Sequence, residues 1–496
     1  MSEFPHQRVP ANHEPHHPAV DTESERGRWI ALMVCCSALF MTLLDVSVTN
    51  VALPSIADAT GAGHSELQWV VSGYTLAFGL VPVLAGRLGD DHGRRRMFQV
   101  GIAGFAVASA LSGLAPNAGV LIAMRVVQGI FGGLVNPQVS GLIQQMFRGD
   151  DRGRAFGALG TTVGLGTALG PLVGGALIAL GGPDLGWRLV FFVNVPVGLV
   201  VIALARRFLP DAPRTGRHRL DVIGSAMLGT ATFCVLLGAV EYDSFGARVV
   251  LLGVPALALL LLFYRRERRL TEERKDPLVD LRLFRQPSYT AGVVLALAYF
   301  PAQAGLPLVL ALYFQRGLGY SALDSALGVT AFAVGSAVAA QTAGRFVTRI
   351  GRPLIVGAAL TFGLGALALA LVAGTVPTTH ATLVLAGPLF VMGLGNGALI
   401  TPNQALTLAD VDPVVGSTAG GVLQTAQRVG LAIGQAVIGA VFFSAIVGTG
   451  PAAYAGALGT AITVALGFVA VATLVGTWEV VRGRRMRARE SGTPTT

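Results

Sequence analysis

The chain has 496 residues, of which 53% are hydrophobic and only 13% are charged, and its mean hydropathy is +0.64. Soluble domains carry about 25% charged residues, so this composition excludes a soluble protein and indicates an integral membrane protein. A net charge of +9 is typical of some nucleic-acid-binding proteins, but the distribution of the basic residues along the chain argues against that class.

The first 28 residues are polar and contain four histidines, His6, His13, His16 and His17. A metal site is conceivable there, but we predict a disordered cytoplasmic tail. The three cysteines of the chain lie inside apolar runs and lack the spacing of metal ligands, so the sequence predicts no metal centre.

Fourteen apolar segments are long enough to cross a membrane, which takes about 20 residues. They lie near residues 30–52, 68–88, 97–115, 119–142, 155–180, 188–206, 221–241, 247–264, 288–314, 325–348, 354–374, 380–402, 418–444 and 455–480. If the N-terminus is cytoplasmic, 31 of the 36 Lys and Arg residues fall on the cytoplasmic side. The positive-inside rule therefore predicts that both termini are cytoplasmic. The basic loops are orientation signals with a secondary affinity for anionic lipid, and we expect no nucleic-acid partner.

Two cytoplasmic loops share a pattern, because GRLGDDHGRR at 86–95 resembles GRFVTRIGRP at 344–353. Each loop joins the second and third spans of a six-span set, which predicts two six-helix halves separated by two extra central helices. The fold class is an all-α integral membrane protein. The predicted organisation is a tail at 1–28, a first half at 29–210, two inserted helices and a basic loop at 211–286, a second half at 287–481 and a basic cytoplasmic tail at 482–496.

Five stretches together resemble the major facilitator superfamily, and specifically its fourteen-helix drug:proton antiporters. They are LDVSVTNVALPSI at 44–56, GRLGDDHGRRR at 86–96, LIAMRVVQGIFGG at 121–133, GTTVGLGTALGPLVGG at 160–175 and WRLVFFVNVPVG at 187–198. The resemblance covers nearly all of the predicted spans. It implies the major facilitator fold and export of drugs or antibiotics by alternating access.

The loop at 86–96 corresponds to a family motif that latches the cytoplasmic side between the two halves. The resemblance implies a gate role for Gly86, Asp90, Gly93, Arg94 and Arg95. The alternative is a loop whose basic residues only orient the chain in the membrane. Asp91 stands where the family usually has a basic residue. In the similar loop at 344–353, Thr348 stands in place of the acid, so we assign no latch to that loop.

The stretch at 160–175 resembles the antiporter motif of the fifth helix. Its small residues let helices approach closely, and an interior proline kinks a helix. The motif residues are Gly160, Gly166, Gly170, Pro171, Gly174 and Gly175. The motif favours export by exchange over uptake by symport.

The stretch at 187–198 marks the fourteen-span subgroup. We expect Trp187 and Arg188 at the outer membrane interface and assign the stretch no chemistry.

Asp45 and Arg125 are ionisable residues within predicted spans. Counted from opposite ends of their helices, Asp45 lies ~22 Å from the cytoplasmic side and Arg125 ~9 Å from the outer side, at similar depths in a ~30 Å core. Such residues mark proton or substrate pathways. We hypothesise that Asp45 carries protons and that Arg125 tunes its affinity for them. A static ion pair or an outer-end polar cap is the alternative.

Arg428 lies ~15 Å into its span, near the midplane. It either meets an anionic group of the substrate or is satisfied by helix carbonyls, and the sequence does not favour one reading. Further candidates for the substrate cavity, each equally suited to joining helices, are Asn50, Gln128, Asn136, Asn403 and Gln424. The second-half spans contain no deep acid, which argues against an exporter of dications.

The leading reading is a secondary active transporter that exports a lipophilic small molecule in exchange for protons. A proton-coupled symporter for a nutrient or metabolite is the alternative, and a membrane-embedded lipid enzyme is a distant third. The chain lacks a phosphate-binding loop, so we expect no ATPase, no enzymatic activity and no cofactor beyond the proton gradient. We expect a monomer in the cell membrane. The use of Arg over Lys, with Lys275 alone, points to a bacterium.

Overall fold

The computed structural model describes residues 25–211, 221–240, 250–273, 275, 277–375, 381–448 and 450–490. Within these residues the regular structure is helical, as expected for a chain that must satisfy its backbone hydrogen bonds inside a bilayer. The sixteen described α-helices are α1 (Glu25–Thr60), α2 (His64–Leu80), α3 (Pro82–His92), α4 (Arg94–Gly113), α5 (Ala118–Met146), α6 (Gly149–Phe192), α7 (Asn194–Phe208), α8 (Val222–Val240), α9 (Val250–Glu272), α10 (Pro287–Leu312), α11 (Ala322–Gly328), α12 (Thr330–Ile350), α13 (Arg352–Ala373), α14 (Ala381–Thr407), α15 (Gly416–Ser444) and α16 (Pro451–Glu490).

The helices lie at the positions of the predicted spans, but not all of them meet a strict test for crossing a membrane. Eight described helices are long and apolar enough, or nine if the bent pair α2–α3 is one span. The count of fourteen therefore stays a prediction. Of the predicted tails, residues 1–24 and 491–496 lie outside the described residues, whereas residues 25–28 belong to α1 and 482–490 to α16.

Local backbone geometry interrupts the helices at two places. The second predicted span bends by 49° between α2 and α3, where Pro82 occupies the first turn of α3. In α6 the chain departs from helical geometry at Gly182, which has φ 67° and ψ −169°. A positive φ of this kind favours glycine. This break separates the fifth predicted span from the sixth, which continues into α7.

The helices form two packed groups. In the first group, α1 packs on α6 and α7, and α5 packs on α2 and α4; in the second, α14 packs on α12 and α13, and α10 packs on α15 and α16. The groups meet through α3 against α15 and α6 against α12. The helix junctions 92–94, 146–149, 350–352 and 407–416 lie at one end of the bundle. We call it the basic end, because the first three of these junctions contain Arg94, Arg148 and Arg352.

The helix pair α8 and α9 lies between the two groups in sequence and bridges them in space. The two helices pack on each other, and α8 also contacts α2 of the first group and α15 of the second. The contact contains Leu76 of α2, Leu236 of α8 and Ala432 of α15, all buried together. The inserted pair is therefore a packed part of the bundle.

Trp187 corrects one expectation from the sequence. Its side chain is 0% exposed and packs on Phe191 with ring centroids 6.3 Å apart, so the ring is covered by protein and does not face lipid. Arg188 lies over the Trp187 ring at 4.3 Å and donates to the carbonyl oxygens of Gly113 and Ala115. The pair fastens α6 to the end of α4 instead of anchoring the chain in lipid.

Candidate functional site

The centre of the first group holds a buried ion pair between α1 and α5. A guanidinium nitrogen of Arg125 lies 2.5 Å from Oδ2 of Asp45, and the two residues are 0% and 1% exposed. The depth argument from the sequence placed them at similar levels, and they are in direct contact. A charge in such a place is stabilised only when it is paired and hydrogen-bonded.

Two amides complete the coordination of the Asp45 carboxylate. Gln128 Nε2 donates to Oδ1 at 2.9 Å, and Asn194 Nδ2 donates to the same oxygen at 2.8 Å. Both amides are buried, and Asn194 also donates to Oγ of Ser109 on α4. Asp45 therefore joins α1, α5 and α7, and through Asn194 it is linked to α4. The sequence analysis assigned Gln128 to the cavity and missed Asn194, which lies in a stretch given no chemistry.

The guanidinium of Arg125 is sealed by α2 and α6. Its Nε donates to the carbonyl oxygen of Val70 at 3.2 Å, and its charged plane lies 4.3 Å from the ring centroid of Tyr74 and 5.8 Å from that of Phe191. Aromatic faces stabilise a desolvated cation. Removing one partner of such a pair leaves an uncompensated buried charge, at a cost of about 3–5 kcal/mol.

The predicted gate residue Asp90 joins the two helix groups at the basic end. Its carboxylate accepts from the backbone N–H groups of Ser417 and Thr418 at 3.2 and 2.8 Å, and from the Thr418 hydroxyl at 2.8 Å. These amides belong to the first turn of α15, where the helix dipole favours an anion. Arg94 pairs with Asp90 at 2.8 Å and also donates to the carbonyl oxygen of Pro413.

The other gate residues divide into two sets. Gly86 faces α15 so closely that an added Cβ would overlap the Ser417 carbonyl, and Gly93 has φ 98°, a glycine conformation, at the turn into α4. Arg95 lies apart from this contact, because it pairs with Asp211 at 3.0 Å within the first group.

Further contacts at the basic end connect α6 to the second group. Thr348, which the sequence analysis gave no latch role, donates to Asp150 of α6. Arg152 donates to the carbonyl oxygen of Ala409 at 3.1 Å, and the backbones of Gly153 and Gly344 touch. Both repeated loops therefore contribute to the contact between the groups.

The antiporter motif lies on α6 and faces two neighbours. Gly166, Gly170 and Gly174 face α1, where a Cβ on Gly166 would lie 3.0 Å from Leu43 and one on Gly174 3.1 Å from Val48. Gly160 faces Ala340 and Thr401 of the second group, whereas Gly175 has open space. Pro171 lies within the same helix. The small residues thus allow α6 to approach the helix that carries Asp45.

The remaining cavity candidates do not form one cluster. Asn50 is exposed, Asn136 is half-buried, and Asn403 donates to the Gly292 carbonyl inside the second group. Gln424 of α15 donates to Oγ of Ser140 on α5, across the groups. Arg428 is partly exposed, and its guanidinium lies 4.4 Å from the ring centroid of Phe78 on α2.

Comparisons with known proteins agree with this architecture. A family model of the Major Facilitator Superfamily matches residues 35–435. The "Probable actinorhodin transporter" of Streptomyces coelicolor is 38% identical over 84% of this chain and 72% of its own. The puromycin resistance protein of Streptomyces alboniger is 35% identical over 94% of this chain and 93% of its own. A tetracenomycin C resistance and export protein of Streptomyces glaucescens is 33% identical over 85% and 77% of the two chains.

Solved structures show the same fold at low sequence identity. The human organic anion transporter superposes with a TM-score of 0.65 at 16% identity, covering 90% of this chain and 99% of its own. A proton:xylose symporter superposes with a TM-score of 0.61 at 16% identity, covering 89% and 95%. At this identity the superpositions support the fold alone.

Proposed function

Because the chain belongs to the Major Facilitator Superfamily, a family of transporters and not of enzymes, we propose that it exports a lipophilic small molecule across the cell membrane in exchange for protons. Relatives named for antibiotic export or resistance support the direction of transport and the substrate class. The observation that carries the proton coupling is the Asp45 carboxylate, which is fully buried and joins three helices.

The proposed topology has fourteen spans and both termini in the cytoplasm, so that the basic end faces the cytoplasm. The spans divide into two six-helix halves, at 29–210 and 287–481, with α8 and α9 between them. The arginines of the basic end support this orientation through the positive-inside rule. The contacts of Asp90 and Gly86 with α15, and of Arg94 with the Pro413 carbonyl oxygen, hold the cytoplasmic side closed, so the described state faces outward. We propose that the protein acts as a monomer.

In the proposed cycle Asp45 is the proton carrier. As a carboxylate it holds Arg125, Gln128 and Asn194 around it, and protonation removes the charge that these donors satisfy. The loss of that charge weakens the junction of α1 with α5 and α7, and it also leaves Arg125 without its counter-ion. The glycines of α6 that face α1 allow these helices to repack. Alternating access of this kind couples proton entry to export.

The test is proton-driven accumulation of a panel of antibiotics and fluorescent dyes in inverted membrane vesicles. Asp45→Asn keeps the size of the side chain and one acceptor oxygen but cannot carry the proton. We expect it to abolish accumulation while the protein stays folded in the membrane. Asp58→Asn, at an exposed position of the same helix, is the matched control and should retain transport. Full proton-dependent export by Asp45→Asn would refute the proposed coupling.

A further inference from the structure

Arg428 is a cation deep in the bundle, where the two helix groups meet. It lies near the middle of α15, and its guanidinium covers the Phe78 ring of α2 at 4.4 Å. Its guanidinium donates no hydrogen bond to a described residue, so its N–H groups are available to a ligand. The side chain is partly exposed.

No acid neutralises Arg428 among the residues that the structure describes. The Asp45 carboxylate is committed to Arg125 and two amides, and Glu479 pairs with Arg352 at 2.8 Å near the basic end. Arg428 itself makes no ion pair with any described residue. An unpaired charge away from bulk water is costly, and it is compensated when a bound group supplies the opposite charge.

Apolar residues form a wall beside Arg428. Gly79 of α2 lies against it, and Leu236 of the inserted helix α8 packs beside Gly79. Leu76 and Ala432 continue this wall. A site with one cation and apolar or aromatic walls is complementary to a lipophilic molecule that carries a single negative group. A guanidinium is also the side chain best suited to grip a carboxylate through two parallel hydrogen bonds.

We propose that Arg428 binds the anionic group of the transported molecule, and that the substrate class is lipophilic organic acids. This inference rests on the proposed export function and specifies its substrate. It resolves the two readings of Arg428 left open by the sequence, because the contact made by its guanidinium is with an aromatic ring of α2.

An aromatic stack places this anion site close to the proposed proton site. Arg125 lies over Tyr74, Tyr74 stacks on Phe78 with centroids 5.8 Å apart, and Phe78 lies under Arg428. All three contacts involve one helix, α2. If protonation of Asp45 rearranges α2, the Phe78 ring that supports Arg428 moves with it. Proton uptake is in this way linked to substrate release.

The experiment compares three probes with one ring system, using the purified full-length protein without a proton gradient. Anthracene-9-carboxylate is an anion, its methyl ester is neutral, and 9-(aminomethyl)anthracene is a cation, and all three report binding by their own fluorescence. We expect the carboxylate to bind at least about tenfold more tightly than the ester, because a hydrogen bond to a charged group is worth roughly this much or more. The cation should bind most weakly.

Arg428→Gln should remove the preference, so that the carboxylate and the ester bind alike and the ester keeps its wild-type affinity. Retained ester binding shows that the variant is folded, and Arg316→Gln, at an exposed arginine, should change nothing. Equal affinities in the wild type, or equal losses for both probes in Arg428→Gln, would overturn the inference. So would complete displacement of the carboxylate by chloride with no effect on the ester, since Arg428 would then hold an inorganic anion. The assay needs no proton gradient, so its failure leaves the proposed exchange to be judged on Asp45→Asn.

Discussion

Asn194 donates one of the three hydrogen bonds to the Asp45 carboxylate, although it lies 149 residues further along the chain. A buried charge is stabilised only while its hydrogen-bond partners are in place. The Asn194 amide therefore helps to satisfy the Asp45 carboxylate and to hold α7 against α1.

Asn194→Ala should lower the free energy of unfolding by about 1.5–3 kcal/mol, because it removes a hydrogen bond to a buried charged group. The measurement is thermal unfolding of the purified protein. Asn194→Ser, which keeps a hydroxyl donor, should lose less. Unchanged stability in Asn194→Ala would contradict the assigned role.

Glu267 of α9 is a further buried acid, and it lies outside the predicted spans. Its side chain accepts from the backbone N–H of Val279 at 3.0 Å, and it faces Asp221 and Arg266, which pair with each other. Burial raises the pKa of Glu267 to about 7, and the Val279 hydrogen bond and Arg266 only partly oppose this rise. The folded protein therefore holds this proton more tightly than the unfolded chain does.

The stability of the protein should consequently depend on pH near neutrality. A raised pKa stabilises the folded state fully below the ordinary value of 4.5, and this contribution is lost as the pH rises through about 7. Glu267→Gln should flatten this part of the stability profile and raise the melting temperature above pH 7 by about 2–4 °C. Thermal unfolding of the purified protein at a series of pH values tests this. Glu272→Gln, at an exposed position of the same helix, should leave the profile unchanged.

At the scale of elements, the contact between α3 and α15 depends on the absence of a side chain at Gly86. An added Cβ would overlap the Ser417 carbonyl and lie 2.8 Å from Cα of Thr418. These are backbone atoms in the first turn of a helix, so a change of rotamer cannot relieve the overlap. The two helices would have to separate, and with them the two groups at the basic end.

Gly86→Ala should therefore slow export by about tenfold or more, because an alternating transporter must reach both closed states. The protein should still insert and fold, since each group keeps its own packing. Transport in inverted vesicles, normalised to the amount of protein, is the measurement. Gly357→Ala in α13 is the matched control, because its added Cβ meets no atom within 4 Å. Equal rates for the two variants would show that this crossing does not gate transport.

The positions of the helices were predictable from the sequence because a span is a local property. Twenty apolar residues mark a helix wherever its partners lie, and the depth of a charge follows from the helical rise, which is how Asp45 and Arg125 could be matched. The break at Gly182 depends on the torsions of one residue, and the bend before Pro82 is a local change in helix direction. The hydropathy of the segment does not record either of them.

The side-chain partners across helices were predictable only in part. Asn194 reaches Asp45, and Thr418 reaches Asp90, over 149 and 328 residues of sequence. Such contacts depend on how distant helices are rotated against each other, which a polar residue in an apolar run does not specify. Trp187 shows the same limit, because amphipathic rings are common at membrane interfaces and yet its position in the packed bundle is fully buried.

At the scale of the whole molecule, the two groups are held together at the basic end by charge as well as by close packing. Asp90 accepts hydrogen bonds from two backbone amides and one hydroxyl of α15, and its charge lies at the positive end of that helix dipole. Each of these interactions exists only while the groups are in contact. They therefore shift the equilibrium between the conformations that are closed and open at the basic end, and they do not change the stability of either group.

Asp90→Asn should shift that equilibrium towards opening at the basic end. The amide keeps an oxygen acceptor but loses the charge. If the closed state loses about 1.4 kcal/mol of stability, the ratio of closed to open molecules falls tenfold. Spin labels at exposed positions 96 and 349, one on each group, report the separation by pulsed electron resonance once Cys234 is removed. We expect a population at longer distance in Asp90→Asn and none in Asp151→Asn, whose carboxylate pairs with Arg154 of its own helix. An identical distance distribution in both variants would mean that Asp90 does not hold the groups together.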